Sequence, residues 1–294
     1  MNDAPAQSSL APWFGAKRTM APTVIQQLGP HRAYWEPFCG SMSILLNKPA
    51  VMMETVNDLH GDLVNLAWVI QDPQTCQELY WRLRRTLFAH EVFRASQGVI
   101  RSGPVPDRAQ RQECVERAYH YFVVSWMGIG GVAGTPNYHH GFARRFSSKG
   151  GPPGLRFTGA VESLPWWHER LRAVVILSCD GIDICERCED REGTVIYADP
   201  PYLVKGAKYV HDFTGEHHRR LAAALGRFKL TRVVVSYYEH PDIESLYPGW
   251  RKLEVRVAKS MVNTGKRTEG RTEAPEVLLV NGEIIPQAKE NGRG

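Results

Sequence analysis

The feature that most constrains the fold is an alternation of short apolar runs with helical patterns. Residues 33–38 and 51–56 are strand-like, with a turn at 39–41 and a short helical pattern over 42–47 between them. A helix with one apolar face is predicted over 62–70. This alternation is typical of a βαβ unit in a parallel sheet.

The same alternation returns in the second half of the chain. A helix that Thr214 can cap is predicted over 214–225. Further strand signals lie at 174–177, 194–198, 232–237, 253–258 and 277–281. The order of these elements extends the parallel sheet of the first half and closes it with a pair of strands.

The stretch between the two α/β regions has a different character. It contains helical patterns over 74–90 and 108–127, and then a long segment over 128–159 that is rich in Gly, Ser, Pro and Arg. Loops of that length are uncommon unless they are functional or mobile. The sequence therefore predicts a mostly helical, basic insert within an α/β fold.

The domain boundaries follow from these patterns. One α/β domain is predicted over residues 11–73 and 166–285, interrupted by the insert at 74–165. Residues 1–10 are predicted to be a disordered leader, and residues 286–294 a tail.

Composition and charge narrow the class of protein. The chain has 294 residues, 43% of them hydrophobic, and no apolar run of 18 residues, so no membrane span is expected. A net charge of +5 favours a polyanionic partner. The start lacks the pattern of a secretory signal and the six cysteines are scattered, which favours a reduced, cytoplasmic protein. Cys185 and Cys188 form a single CxxC pair without the second Cys pair or His pair of a zinc site, so a structural role, with redox chemistry as the alternative, is predicted and no metal is expected.

Four residues carry the strongest functional signal: Asp199, Pro200, Pro201 and Tyr202. They follow the apolar run 194–198, so they lie where a buried strand ends, the edge at which open α/β sheets bind ligands. The Asp199 carboxylate and the Pro200 carbonyl are acceptors, and neither proline has an N–H. Tyr202 offers a ring on which a planar base can stack. The alternative is an ordinary strand-end turn.

Two acceptors suit the amino group of a base. The lone pair of an adenine amino nitrogen is delocalised into the ring, and acceptors on both of its hydrogens favour a localised lone pair that can attack a methyl group. The protein then contributes mainly position and fixed electrostatics.

A glycine and an acid elsewhere in the chain predict a cofactor site. Gly40 ends the first strand with a turn that allows close backbone approach, and Asp58 follows the second strand. An acid about 20 residues after a glycine turn is the arrangement that binds ribose hydroxyls. A single glycine disfavours a dinucleotide, so S-adenosylmethionine is the expected cofactor. The alternative is a common βα turn with a solvated acid.

In four motifs the chain resembles the Dam-like, or D12 class, adenine-specific DNA methyltransferases. Residues 12–17 resemble the N-terminal Trp-x-Gly-Gly-Lys motif of that family, although Ala16 stands where a second glycine is usual. Residues 36–40 resemble its cofactor motif, 57–65 its acidic segment, and 199–202 its catalytic motif, in the same order along the chain. The resemblance implies a Rossmann-like S-adenosylmethionine-dependent methyltransferase sheet with an inserted, mostly helical target-recognition domain.

The resemblance also implies roles for single residues. Phe38 and Gly40 would line the cofactor, Asp58 would bind its ribose, and Asp180 its adenine amino group. The alternative for Asp180 is a loop-capping acid. Trp13 and Lys17 would approach the cofactor and the active site from the N-terminal segment.

The implied substrate is duplex DNA. A base within a duplex must be flipped out before its amino group can reach such a site. In the insert, Arg144, Arg145 and Lys149 are candidates for DNA contacts. At least one arginine is predicted to read a base in the major groove; the alternative is that this basic loop contacts only phosphates. Lys266 and Arg267 are further candidates, on a segment that can equally be a plain mobile loop.

The sequence thus predicts a site-specific adenine methyltransferase in which Asp199, Pro200 and Tyr202 are catalytic. Its rivals are a methyltransferase acting on the cytosine amino group and a catalytically silent DNA-binding regulator. We expect a monomer or weak dimer near the nucleoid of a bacterium or phage-infected cell. The recognition sequence stays open, as does the choice between a restriction-modification partner, phage protection and regulation.

Overall fold

The structure is a computed structural model that describes residues 7–13, 17–129, 140–144, 151–202, 213–255 and 276–286. The predicted tail beyond residue 286 and the first six residues of the predicted leader lie outside the described residues. So do the last residues of the strand predicted over 253–258 and the loop that follows it.

Seven strands form one sheet. They are β1 (Ala33–Glu36), β2 (Met53–Asn57), β3 (Val174–Leu177), β4 (Thr194–Ala198), β5 (Arg232–Tyr238), β6 (Arg251–Val255) and β7 (Glu276–Val280). Their order across the sheet is β3-β2-β1-β4-β5-β7-β6. The first five strands pair in parallel, while β7 is antiparallel to both β5 and β6. This mostly parallel sheet confirms the predicted fold class.

The strand order has a switch point between β1 and β4. From β1 the chain adds β2 and β3 on one side, and it then returns to add β4 and β5 on the other. Neighbouring crossovers therefore leave the sheet in opposite directions at this point, which opens a crevice at the carboxyl ends of β1 and β4. The residues after Glu36 and after Ala198 face this crevice.

The central strands are buried because helices cover both faces of the sheet. All five residues of β4 and of β7 are buried, as are the five interior residues of β5. Strands buried on both faces need continuous apolar runs instead of alternation. This is why their positions were predictable from the sequence.

The described residues also form α-helices on both sides of the sheet. They are α1 (Ala21–Leu28), α2 (Ser43–Asn47), α3 (Gly61–Gln71), α4 (Pro73–Arg84), α5 (His90–Ser102), α6 (Arg111–Met127), α7 (Pro153–Glu162), α8 (Leu164–Leu171), α9 (Gly181–Arg187), α10 (Gly215–Gly226) and α11 (Ile243–Leu246). A short 3-10 helix, Lys17–Thr19, precedes α1.

Two sequence-based predictions in the insert are wrong. The helix predicted over 74–90 is two helices: α4 ends at Arg84, and α5 begins at His90 after a connection anchored by Phe88, which packs on Phe142 and Phe157. The long loop predicted over 128–159 contains most of α7. Helix α7 begins with a proline in its first turn, a favourable position, and it buries Phe157 in the core.

The insert shares its core with the α/β domain. Buried side chains of α3, α4 and α6 belong to one hydrophobic cluster with β2 and β3. A buried ion pair strengthens this junction, because Arg117 of α6 donates to both oxygens of Asp62 in the first turn of α3, at 2.6 and 3.1 Å. Helix α6 is therefore fixed to the segment that follows Asp58.

Residues 7–10 of the predicted leader are held by the fold. The indole N–H groups of Trp126 and Trp167 donate to the carbonyls of Leu10 and Gln7, each at 3.0 Å. Leu10 also donates its backbone N–H to Ser41 and is fully buried. Among the described residues, no helix is long and apolar enough to cross a membrane.

Candidate active site

The catalytic motif predicted from the sequence lies at the switch point of the sheet. Asp199 directly follows β4 and is half-buried, Pro200 is buried, and Tyr202 is 7% exposed. Strand β1 runs beside β4 with Trp35 opposite Ile196, so the turn after β1 is the neighbour of the motif. The site is therefore formed by the two loops that the switch point separates.

Lys17 reaches this motif from the N-terminal segment. Its side chain is 4% exposed, and its Nζ lies 3.0 Å from Asp199 Oδ1 and 3.9 Å from Glu276 Oε1. Lys17 also donates a hydrogen bond to the hydroxyl of Tyr202. Burial disfavours the ammonium, but the carboxylates of Asp199 and Glu276 outweigh burial and raise the pKa of Lys17 above its ordinary value. Lys17 is thus a cation that ties both ends of the motif together.

Strand β5 holds the motif from the other side. Ser236 Oγ donates to Asp199 Oδ1 at 2.6 Å and lies 3.0 Å from the hydroxyl of Tyr197. Tyr238, two residues further on the same strand, packs against Tyr202 with ring centroids 4.2 Å apart. Both ends of the catalytic motif therefore rest on side chains of one strand.

Tyr202 has one face covered and one edge bonded. Tyr238 lies against its ring at an interplanar angle of 39°. The Lys17 Nζ is 4.8 Å from the ring centroid, and because it bonds to the hydroxyl it lies at the edge of the ring. The stacking of a base on the other face of Tyr202 remains a prediction.

A buried acid lies close to the motif. Glu36, the last residue of β1, is 2% exposed and accepts a hydrogen bond from the Tyr34 hydroxyl at 2.8 Å. Burial raises the pKa of Glu36 to about 8, the nearby Asp199 carboxylate adds to this rise, and the Tyr34 hydrogen bond opposes it. Glu36 is therefore largely protonated at neutral pH.

The residues predicted to bind the cofactor ribose are in direct contact. Asp58 Oδ2 accepts a hydrogen bond from the backbone N–H of Gly40 at 2.8 Å, and Asp58 Oδ1 accepts one from the N–H of His60 at 2.9 Å. The backbone of Gly40 has a φ of +45°, a conformation that residues other than glycine rarely adopt. The acid thus fixes the glycine turn, and each of its oxygens can accept a further hydrogen bond.

Trp13 packs against the Gly40 turn, and Phe38 packs against the turn after β3. The Trp13 indole lies so close to Gly40 that a Cβ there would be 3.0 Å from its Nε1, and its ring packs edge-on to His60 at 5.2 Å. The Phe38 ring lies against Gly181, where a Cβ would be within 2.8 Å of it. The structure therefore brings both predicted residues to the turns that follow β1 and β3.

Asp180 is the N-cap of α9. Its Oδ1 accepts from the N–H of Ile182 at 2.8 Å, and its Oδ2 pairs with Arg220 at 3.2 Å. This is the capping role that the sequence left as the alternative. A contact between Asp180 and the cofactor adenine remains a prediction.

Asn57 joins the turns after β1 and β3. Its side-chain amide donates to the carbonyls of Pro37 and Cys179, both at 2.9 Å, and its oxygen accepts from the N–H of Cys179 at 2.9 Å. This residue, at the end of β2, sets the spacing between the turns that carry Phe38 and Asp180. Asp58 and Asp180 are two hydrogen-bond acceptors beside a close glycine turn, and this arrangement fits the hydroxyl and amino groups of a nucleoside without phosphates.

Only part of the predicted DNA-binding set can be placed. Arg144 is exposed, two residues beyond Phe142, which bridges Gly128 and packs on Phe88 and Phe93. Arg145, Lys149, Lys266 and Arg267 lie outside the described residues. Phe142 and Phe157, two aromatic residues near these basic side chains in the sequence, both pack on Phe88 within the protein.

Sequence reasoning missed several residues of the site: Asn57, Ser236, Tyr238 and Glu276. Ser236 had a usable signal, since it is the polar position within the apolar run of β5. Glu276 begins β7, and only the fold reveals that this edge lies beside Lys17.

The strand order and the mostly parallel sheet define a Rossmann-like α/β fold. Residues 13–123 match the sequence model of the D12 class N6 adenine-specific DNA methyltransferases. This match confirms the resemblance found in the motifs. It includes Gly40 and Asp58 and ends before Asp199.

One solved structure gives a weak likeness. It is the crystal structure of SMU.472, described as a candidate methyltransferase and complexed with SAH, with 11% identity and a TM-score of 0.39. The alignment covers 94% of this chain and 55% of that chain, so this chain spans little more than half of its length. Comparison with curated proteins gives no match.

Proposed function

We propose that this chain transfers a methyl group from S-adenosylmethionine to the exocyclic amino group of a flipped adenine in duplex DNA. The observation that carries the proposal is the buried contact between Lys17 and Asp199, 3.0 Å long, at the switch point of the sheet. A half-buried carboxylate that is paired with a cation at the end of a central strand is a prepared acceptor. The family match over residues 13–123 supports adenine as the base.

Asp199 acts as a hydrogen-bond acceptor for the amino group. The Pro200 carbonyl is the second acceptor, and the two together favour a localised lone pair on the amino nitrogen. Lys17 pairs with the Asp199 carboxylate at 3.0 Å and so holds it in place as an acceptor. The proton can leave after transfer, when the nitrogen is cationic, so no strong general base is needed.

The cofactor would be held at the turns after β1, β2 and β3. Asp58 would accept from the ribose hydroxyls while it continues to fix the Gly40 turn, and Trp13 and Phe38 would cover the flanks. Asp180 would accept from the adenine amino group of the cofactor. When bound, S-adenosylmethionine supplies the electrophilic methyl group.

DNA would approach from the insert side. Flipping a base costs a few kcal/mol, and cationic side chains of the insert would offset part of that cost by contacting phosphates. Arg144, which lies within the described residues, is exposed and could make such a contact. Because Arg117 and Asp62 fix α6 to α3, the insert would hold the duplex at a set distance from Asp58.

Product analysis tests the proposal. The protein is incubated with varied duplex DNA and methyl-labelled S-adenosylmethionine, and the DNA is digested to nucleosides for mass spectrometry. The proposal predicts N6-methyladenine. N4-methylcytosine would transfer the assignment to the cytosine amino group, and DNA binding without any transfer would identify a silent regulator.

A further inference from the structure

Ser236 is a buried hydroxyl in an apolar setting. It is 0% exposed and lies in β5 between Val235 and Tyr237, both also fully buried. Burying a hydroxyl without a hydrogen bond costs free energy, so its partners indicate what it does. Its partners are Asp199 and Tyr197.

The direction of these hydrogen bonds can be assigned. An ionised carboxylate only accepts, and a serine hydroxyl has one hydrogen to donate. Ser236 therefore gives its hydrogen to Asp199 Oδ1, 2.6 Å away, and the Tyr197 hydroxyl, 3.0 Å away, must donate to Ser236. The result is a buried chain of two donors that ends on Asp199.

Asp199 needs this support because of its neighbours in the sequence. An aspartate at a strand end is commonly held by the backbone N–H two residues further on. Here the next two residues are Pro200 and Pro201, and neither has an N–H. The local backbone therefore cannot orient the carboxylate, and the neighbouring strand β5 supplies the donor.

Both protein partners of Asp199 bind the same oxygen. The closest contacts of Ser236 and Lys17 with Asp199 are both to Oδ1, and among the described residues no hydrogen bond to Oδ2 is found. Two contacts at one oxygen fix the rotation of the carboxylate about its Cβ–Cγ bond and leave the other oxygen to accept.

We propose that Ser236 is the positioning residue of the catalytic motif, which turns Asp199 so that Oδ2 accepts a hydrogen from the target amino group. This inference rests on the proposed methyl transfer. Ser236 touches neither base nor cofactor, and it acts only through Asp199. The Tyr197 hydroxyl donates to Ser236 and thereby orients the serine hydroxyl.

The kinetic test compares Ser236→Ala, Ser236→Thr and the wild type in methyl transfer to duplex DNA. Loss of a hydrogen bond to a charged group predicts a kcat about 10- to 100-fold lower for Ser236→Ala. The KM for S-adenosylmethionine should stay within about 3-fold, because the cofactor turns are untouched. Ser236→Thr keeps the hydroxyl and should recover most of kcat. Ser125→Ala, a buried serine of α6, is the matched control for loss of a buried hydroxyl.

A second measurement does not depend on activity. Urea unfolding of Ser236→Ala, Asp199→Ala and the double variant forms a cycle, and we expect Ser236→Ala to lower the midpoint in the wild-type background but hardly at all beside Asp199→Ala. Additive losses, or a wild-type kcat in Ser236→Ala, would overturn the inference. An inactive wild type would overturn the proposed function, while the cycle would still test the Ser236–Asp199 bond.

Discussion

The Nζ of Lys17 lies 3.0 Å from Oδ1 of Asp199, which joins the N-terminal segment to the turn after β4. The sequence predicts Lys17 near the cofactor and the active site, and in the structure its ammonium pairs with the carboxylate of Asp199. Because Lys17 also bonds to Tyr202, one side chain connects both ends of the motif. The integrity of the site and the stability of the fold are therefore coupled at this residue.

Lys17→Met should lower both activity and stability. Breaking a buried ion pair leaves the remaining charge uncompensated and costs about 3–5 kcal/mol. Methyl transfer should fall by about 100-fold, because Asp199 and Tyr202 lose a shared partner. Denaturant unfolding and the labelled-methyl assay measure the two effects.

Lys252→Met is the matched control for Lys17→Met. Lys252 pairs with Glu239 at 3.0 Å, but both side chains are more than a third exposed. Its removal should have little effect on stability, because exposed ion pairs contribute little, and it should leave transfer unchanged. Equal losses in the two variants would contradict the special role of Lys17.

Glu36→Gln should change how stability depends on pH. The folded-state pKa of Glu36 is about 8 because of burial, against an ordinary value of 4.5. Between these values the folded protein holds a proton that the unfolded chain releases. The free energy of unfolding therefore falls as pH rises through this window, by about 1.4 kcal/mol per unit. The stability that comes from the raised pKa of Glu36 is fully present below pH 4.5 and is lost above pH 8.

The glutamine variant cannot titrate, and it can still accept from Tyr34. Its free energy of unfolding should exceed that of the wild type by a margin that grows from pH 5 to pH 8 and then levels. Urea unfolding at one-unit intervals measures this difference, in which other titrating groups cancel. A difference that stays constant across the range would show that Glu36 is ionised throughout.

Gly40→Ala should damage both the turn and cofactor binding. Its φ of +45° is unfavourable for alanine by about 1–2 kcal/mol, and the new Cβ would meet Trp13 at 3.0 Å. Gly98→Ala is the control, since Gly98 lies in α5 with open space around it and should gain up to about 1 kcal/mol. Unfolding and calorimetric titration with S-adenosylmethionine distinguish the two variants, and equal cofactor affinity in both would contradict the placement of the cofactor.

Asp180 variants separate capping from cofactor binding. Asp180→Ala should cost about 1 kcal/mol because α9 loses its N-cap, whereas Asp180→Asn keeps a good capping residue. If Asp180 accepts from the cofactor adenine, both variants bind S-adenosylmethionine more weakly than the wild type. Wild-type affinity in Asp180→Asn would leave Asp180 with the capping role alone.

The parts of the fold that the sequence predicted are those governed by local pattern. Strands β4 and β5 are short, buried, apolar runs, and Gly40 and Asp58 meet because consecutive parallel strands end at one edge. Helix α7 was not predicted because Pro153, Gly154 and Gly159 have low helix propensity and obscure its periodic pattern. The helix is stabilised instead by the burial of Phe157 in the core.

The candidate site was predictable only where its residues share a motif. Asp199 and Tyr202 could be named from their order along the chain. The contacts of Lys17 with Asp199 and of Ser236 with Asp199 depend on which strands are neighbours, and strand order is a tertiary property. Asn57 likewise gains its role only when the turns after β1 and β3 approach each other.

The most direct test of the central claim is methyl transfer by Asp199→Ala, measured beside its affinity for S-adenosylmethionine. If Asp199 accepts a hydrogen bond from the target amino group and does not contact the cofactor, methyl transfer by the variant should be at least about 100-fold below that of the wild type. Its Kd for S-adenosylmethionine should stay within about 3-fold of the wild-type value. Wild-type turnover by Asp199→Ala would contradict the account.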